Sequence, residues 1–158
     1  MAIKTNKKYI LIGIIFAIIA AFGVILLAIV NSDRHFRLSD EYYGTSESID
    51  LDKDQYENLI AQKKSFIVII DKPGCTTTQA MREQMASFPE DMQFKYYNMM
   101  WSEVRLSSLH EHVKFTPSVA IIKEGEVLVW LQSDRDEDSE YFNSADALRD
   151  WIKSYVSF

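Results

Sequence analysis

The chain has 158 residues, a formal net charge of −6, and 47% apolar and 13% aromatic side chains. Such a composition is globular and excludes disorder for most of the chain, and the length suits one ordinary domain. The single cysteine, Cys75, excludes an internal disulfide framework and any cysteine-rich metal cluster.

Residues 9–30 carry no charge and are dense in Ile, Ala, Leu and Phe. A helix of that length rises about 33 Å, matching the hydrocarbon thickness of a bilayer. A buried core helix rarely runs so far without a polar residue, and Ala28-Ile29-Val30 is a poor match to a signal-peptide cleavage site. The expectation is one N-terminal transmembrane helix whose partner is the lipid bilayer. Lys4, Lys7 and Lys8 precede it, whereas Asp33, Arg34 and Arg37 after it nearly cancel. The positive-inside tendency then puts residues 1–8 in the cytoplasm as a tail and the body outside, in a single-pass cell-membrane arrangement. Beyond residue 30 there are 14 basic against 23 acidic side chains, a net −9. An acidic body argues against nucleic acid as a partner, because phosphate binding needs a basic footprint.

Residues 31–48 are polar and show neither helical nor strand period, which predicts a linker, with Tyr42 and Tyr43 able to dock on the domain. Asp52 followed by Gln55 is a helix-start signature, and Tyr56, Leu59 and Ile60 form one apolar face ending at Lys63-Lys64. Residues 66–70 (FIVII) predict a strand buried on both faces. Pro73-Gly74 breaks it, and a helix is expected over about 75–88, with Met81 and Met85 on one side. Residues 92–99 predict a further strand. Ser102 can cap a third helix bearing Leu106, Leu109 and Val113. After Thr116-Pro117, residues 118–122 and 126–131 form a hairpin through Lys123-Glu124-Gly125. Asn143 or Ser144 then caps a closing helix with Leu148, Trp151, Ile152 and Tyr155 at helical spacing. This order describes an α/β domain, a central mixed sheet flanked by helices, over residues 49–158.

A cysteine at a helix start after a buried strand, then strand, helix, Thr-Pro, hairpin and helix, resembles a thioredoxin-like domain over roughly residues 49–156. Three local matches carry the resemblance. Lys72-Pro73-Gly74-Cys75 opens a helix as the family's active-site cysteine does. Pro117, in Thr116-Pro117-Ser118, lies 42 residues beyond Cys75, where the family keeps a cis-proline. Residues 119–127 (VAIIKEGEV) look like the family's strand-Lys-x-Gly-strand hairpin. Proline two residues before the cysteine is similar to small membrane-associated thioredoxin-like proteins of Gram-positive bacteria, including those named bacteriocin transport accessory proteins.

The departures from the family's Cys-x-x-Cys motif matter as much. Here the motif reads Cys75-Thr76-Thr77-Thr78, so Thr78 replaces the resolving cysteine. Gly74 stands where a tryptophan is common, and the strand offers no acid before Asp71 at its exit. A two-cysteine cycle cannot run inside this chain. What the resemblance implies is monothiol chemistry on thiols or disulfides of exported proteins. Cys75 would be the nucleophile, Thr78 a hydroxyl partner for its thiolate, and Gly74, Thr116 and Pro117 the substrate-positioning surface. Such a thiolate forms a mixed disulfide but needs another thiol for release. Two alternatives stay open: a non-catalytic module binding exported peptides or a membrane complex, and a disulfide-linked homodimer through Cys75.

No cofactor or metal is expected. Asp134, Asp136 and Asp138 mimic the start of a calcium loop, but Ser139 and Ala145 occupy the places of the required glycine and glutamate. His110 and His112 are expected at the surface, two apart on a helix and pointing in different directions.

Overall fold

The computed structural model describes residues 35–158 together with residues 14, 15 and 19–21. The expected transmembrane helix over residues 9–30 and the cytoplasmic tail before it therefore lie almost wholly outside the described residues. Among the described residues no helix is long and apolar enough to cross a membrane. The chain from Phe36 to Phe158 forms one compact unit.

Its centre is a five-stranded sheet in the order β1-β3-β2-β4-β5. The strands are β1 (Glu47–Leu51), β2 (Phe66–Asp71), β3 (Lys95–Met100), β4 (Ser118–Lys123) and β5 (Glu126–Gln132). β3 runs parallel to both β1 and β2, whereas β4 is antiparallel to β2 and to β5. β2 is thus the middle strand, and its five apolar residues are fully buried. A run of Phe, Ile and Val without alternation suits that place, because both faces of the strand are covered. Each such side chain contributes roughly 1.5–3 kcal/mol by leaving water.

Among the described residues five helices flank the sheet: α1 (Lys53–Ala61), α2 (Thr76–Ala86), α3 (Trp101–Val104), α4 (Ser139–Asn143) and α5 (Ala145–Lys153). α1 begins with the expected capping box, Asp52 accepting from Gln55 N–H and Gln55 returning to the Asp52 N–H. It lays Tyr56 edge-on against Phe66 of β2. α2 packs with α4 and α5 and buries Met81 and Met85, as their spacing predicts. Ser144 caps α5, which buries Leu148, Trp151 and Ile152.

Three expectations need correction. The linker expected over 31–48 belongs to the domain from Phe36 onward. Phe36 bridges to Val156, Leu38 and Tyr42 are buried, and residues from Glu47 form β1 along the sheet edge. Tyr43 accepts from Leu38 N–H and donates to the Ser157 carbonyl, tying the start of the domain to its end. The alternation is weak there because β1 is an edge strand with four of five residues at least partly open. The third helix is also shorter than its spacing suggests. It stops at Val104, where Ser107 turns its hydroxyl back to the Val104 carbonyl, and a 3-10 turn, Ser108–Glu111, follows. Leu109 and Val113 remain in the core, but Leu106 is exposed. The expected strand over 92–99 starts later, after a 3-10 turn that ends at Met92.

Candidate functional site

β2 carries the chain from the core to the surface at Asp71, which accepts from the Lys72 N–H at 2.6 Å. Pro73 and Gly74 then turn it, and the Cys75 N–H closes the turn on the Lys72 carbonyl at 3.1 Å. Gly74 has φ +73°, a conformation glycine adopts without steric cost. Cys75 is consequently the N-cap of α2, half-buried, with its sulfur beside the unpaired N–H groups of the first helical turn.

Those groups set its ionisation. The Thr78 hydroxyl has the largest effect and pulls the thiol pKa down, and the N–H groups of Thr78 and Thr77 act in the same direction. Partial burial and the negative charge of Asp71 oppose them, but the net shift is downward. A neutral thiol is a weak acceptor, and Cys75 accordingly makes no side-chain capping bond. Thr78 Oγ1 is buried and likewise has no hydrogen-bond partner. Ionisation of the sulfur supplies the acceptor that this hydroxyl lacks, which is why the thiolate gains more from Thr78 than the thiol does.

Asp71 is held away from acting as a free charge. Arg82, two turns along α2, donates to Asp71 Oδ2 at 2.8 Å and also to Asn98 Oδ1 on β3. Asn98 donates in turn to Asp50 on β1 at 3.3 Å. The network links three strands and α2 beneath one end of the sheet, and its Arg82 offsets part of the charge that Asp71 presents to the thiol. Asp71 was visible in the sequence as a strand-exit acid, but its pairing with Arg82 and Asn98 was not.

On the other side of Cys75 stands the segment before β4. The Thr116-Pro117 peptide bond is cis, as expected, and Pro117 is buried. Ser118 Oγ donates to the Phe115 carbonyl, and the Ser133 N–H donates to the Pro117 carbonyl. Thr116 itself makes no backbone hydrogen bond among the described residues. Between this segment and the α2 start lies a groove of about 560 Å³, lined by Gly74, Cys75, Thr116, Trp101, Phe115 and two lysines. Gly74, Cys75 and Thr116 are thus brought together, with Thr78 buried within α2 beside the thiol and Pro117 behind Thr116. Trp101 and Phe115 had not been singled out as site residues. Phe115 is 49% exposed, an unusual state for an aromatic beside a turn, and nothing in its spacing signals it.

The other candidates take structural roles. His110 Nδ1 lies 3.2 Å from the Val113 carbonyl and its ring packs edge-on against Trp101. His112 packs against Trp130. Both are half-buried rather than fully at the surface, and neither lines the groove. In the acidic turn, Asp138 is buried and accepts from the Gln132 N–H and from Arg135. Its carboxylate is therefore committed to the fold. Among the described residues no cluster of three or more His, Cys, Asp or Glu side chains is arranged to hold a metal ion.

No family model matches the chain, and no curated protein is significantly similar in sequence. Solved structures do match. A mutant thioredoxin from Halobacterium salinarum aligns at 14% identity and TM-score 0.50, covering 73% of this chain and 96% of its own. Reduced thioredoxin pre-protein from Schistosoma mansoni aligns at 18% identity and TM-score 0.50, over 70% of this chain and 99% of its own. A protein named Trxlp from Edwardsiella tarda gives 9% identity and the same score, over 67% and 98%. At these identities the likeness concerns the fold, and the fold is thioredoxin-like.

Proposed function

We propose that this chain is a membrane-tethered, extracytoplasmic thioredoxin-like protein that performs monothiol thiol–disulfide exchange on exported proteins. The observation that carries the reading is the place of the sole cysteine at the N-terminus of α2, open to a groove and beside the Thr78 hydroxyl and first-turn N–H groups that pull its pKa down. The thiolate is the attacking species in exchange, and a lowered pKa raises its fraction at a given pH. Thr116, whose backbone makes no hydrogen bond among the described residues, would hold an extended partner strand beside the sulfur. Gly74 and Pro117 shape that surface. The sequence of residues 9–30 and the lysines before it support the tether and its orientation. Pro73, two residues ahead of the cysteine, favours the bacteriocin transport accessory type within this fold.

With Thr78 in place of a second cysteine, a mixed disulfide at Cys75 is resolved by another molecule's thiol. That thiol belongs to the partner, to a small thiol such as glutathione, or to a separate reductase.

The test is the rate of iodoacetamide alkylation of Cys75 in residues 31–158 as a function of pH. The expected midpoint lies below the free-thiol value of about 8.5. Thr78→Val should move it upward, because the largest stabilising influence on the thiolate is lost. A midpoint at or above the free-thiol value would leave Cys75 inert. The thioredoxin fold would then serve as a binding module, and Cys75→Ser would leave its function intact.

A further inference from the structure

The groove beside Cys75 has a charge character opposite to that of the domain. Beyond residue 30 acidic side chains outnumber basic ones by nine, yet no carboxylate lines this groove. Its charged residues are Lys72 on the α2 side and Lys114 on the β4 side. Neither forms an ion pair among the described residues; the Lys114 ammonium donates only to the His110 carbonyl. The nearest acid, Asp71, is paired with Arg82. The same groove is lined by Trp101 and the exposed ring of Phe115. Behind the sulfur, the fully buried Thr78 hydroxyl lacks a partner and acts on Cys75.

From this arrangement we infer that the partner of Cys75 is an acidic, apolar peptide segment: a cysteine flanked by at least one carboxylate and one aromatic or aliphatic side chain. The inference rests on the thiol-exchange reading and names the substrate class of the same site. The carboxylates meet Lys72 and Lys114, and the apolar side chain meets Phe115 and Trp101. Within a Debye length, about 8 Å at physiological salt, an anion in the groove feels the two lysines, whereas the more distant charges of the −9 body are largely screened. The preference is therefore local to the groove. A basic segment would be drawn to the acidic body in general and repelled at the point of attack.

The chemistry balances without an outside oxidant. The Cys75 thiolate attacks the partner cysteine's sulfur in an existing disulfide. A Cys75–partner S–S bond forms, the original S–S bond breaks, and its electron pair leaves on the displaced thiolate, which takes up a proton according to its own pKa.

The experiment uses two peptides of equal length, each bearing one cysteine activated as a 2-pyridyl disulfide and one phenylalanine. One peptide carries glutamates on either side and the other lysines. Release of pyridine-2-thione, a neutral leaving group, reports the rate on residues 31–158. Because both peptides meet the same protein, their rate ratio cancels thiolate fraction and intrinsic nucleophilicity. The acidic peptide should react at least about threefold faster at physiological salt, where the distant charges of the body are screened. In the double variant Lys72→Glu/Lys114→Glu the ratio should fall to one or invert. Lys153→Glu, on the exposed side of α5, applies the same kind of charge change away from the groove and should keep the preference. Equal rates, or faster reaction of the basic peptide, overturn the inference while leaving thiol exchange standing. Failure of both peptides and of iodoacetamide overturns the proposed function itself, and this inference with it.

Discussion

A buried hydroxyl left without a partner costs about 1–3 kcal/mol, and Thr78 Oγ1 is such a group. The cost makes sense if the hydroxyl serves the ionised sulfur, since a site tuned for reactivity commonly gives up stability. Thr78→Val keeps the shape and removes the orphaned hydroxyl. It should raise the unfolding free energy by about 1 kcal/mol in urea titrations at acidic pH, where the sulfur is a thiol, while raising the alkylation midpoint. Loss of stability on that substitution would mean that the hydroxyl is satisfied in the folded thiol form. The Cys75 shift also predicts a pH dependence. The folded chain holds the thiol below its unfolded value, so between those two values the unfolded state binds more protons and stability rises with pH. The thiolate's contribution is complete above the unfolded value, about 8.5, and is lost as pH falls through the folded one. Urea titrations of the parent and Cys75→Ser should therefore diverge in the parent's favour as pH rises through that window. A constant difference would contradict a stabilised thiolate.

At the level of elements, the β4–β5 turn shows how a local signal acquires a long-range role. Glu124 and Gly125 have φ +51° and +81°, the paired left-handed residues of a tight hairpin turn. The same turn is fastened to the end of α1: the Gly125 N–H donates to the Lys64 carbonyl, and a Cβ at 125 would stand 2.4 Å from the Ile60 carbonyl oxygen. Gly125→Ala thus meets both an unfavourable φ and fixed backbone, and should cost at least about 2 kcal/mol. Gly74→Ala meets an unfavourable φ but open space, so about 1 kcal/mol is expected there. Thermal denaturation of the two variants compares them directly; a smaller loss at 125 than at 74 would show that α1 can shift away. The same level holds the corrected expectations. β1 and the short α3 were poorly legible because an edge strand lacks clean alternation and because Leu106, at helical spacing, points to solvent.

For the whole molecule, the proposed arrangement is an acidic domain held outside the membrane, with one reactive thiol in a locally cationic groove. A membrane-impermeant maleimide applied to intact cells expressing the full chain should label Cys75 without permeabilisation. Labelling only after permeabilisation would reverse the topology. Non-reducing electrophoresis of the same membranes separates monomer from a Cys75-linked dimer, because the chain has no other cysteine to confuse the result.

Much of the fold was legible in the sequence, since burial leaves periodic marks. FIVII reads as a strand covered on both faces, and the capping side chains of Asp52 and of Asn143 or Ser144 mark helix starts, of which Asp52 and Ser144 cap in the structure. Cys75 at a helix start and the Thr116-Pro117 pair were likewise visible as local motifs. The groove was not. Cys75 and Phe115 are 40 residues apart, and only the sheet order β2–β4, with α2 leaving one strand and Thr116-Pro117 entering the other, sets them side by side. The pairing of Asp71 with Arg82 and Asn98, and the location of Lys72 and Lys114 on one groove, depend equally on that order. Periodicity records which face of an element is apolar, whereas the neighbours across a sheet are chosen by packing of the entire chain.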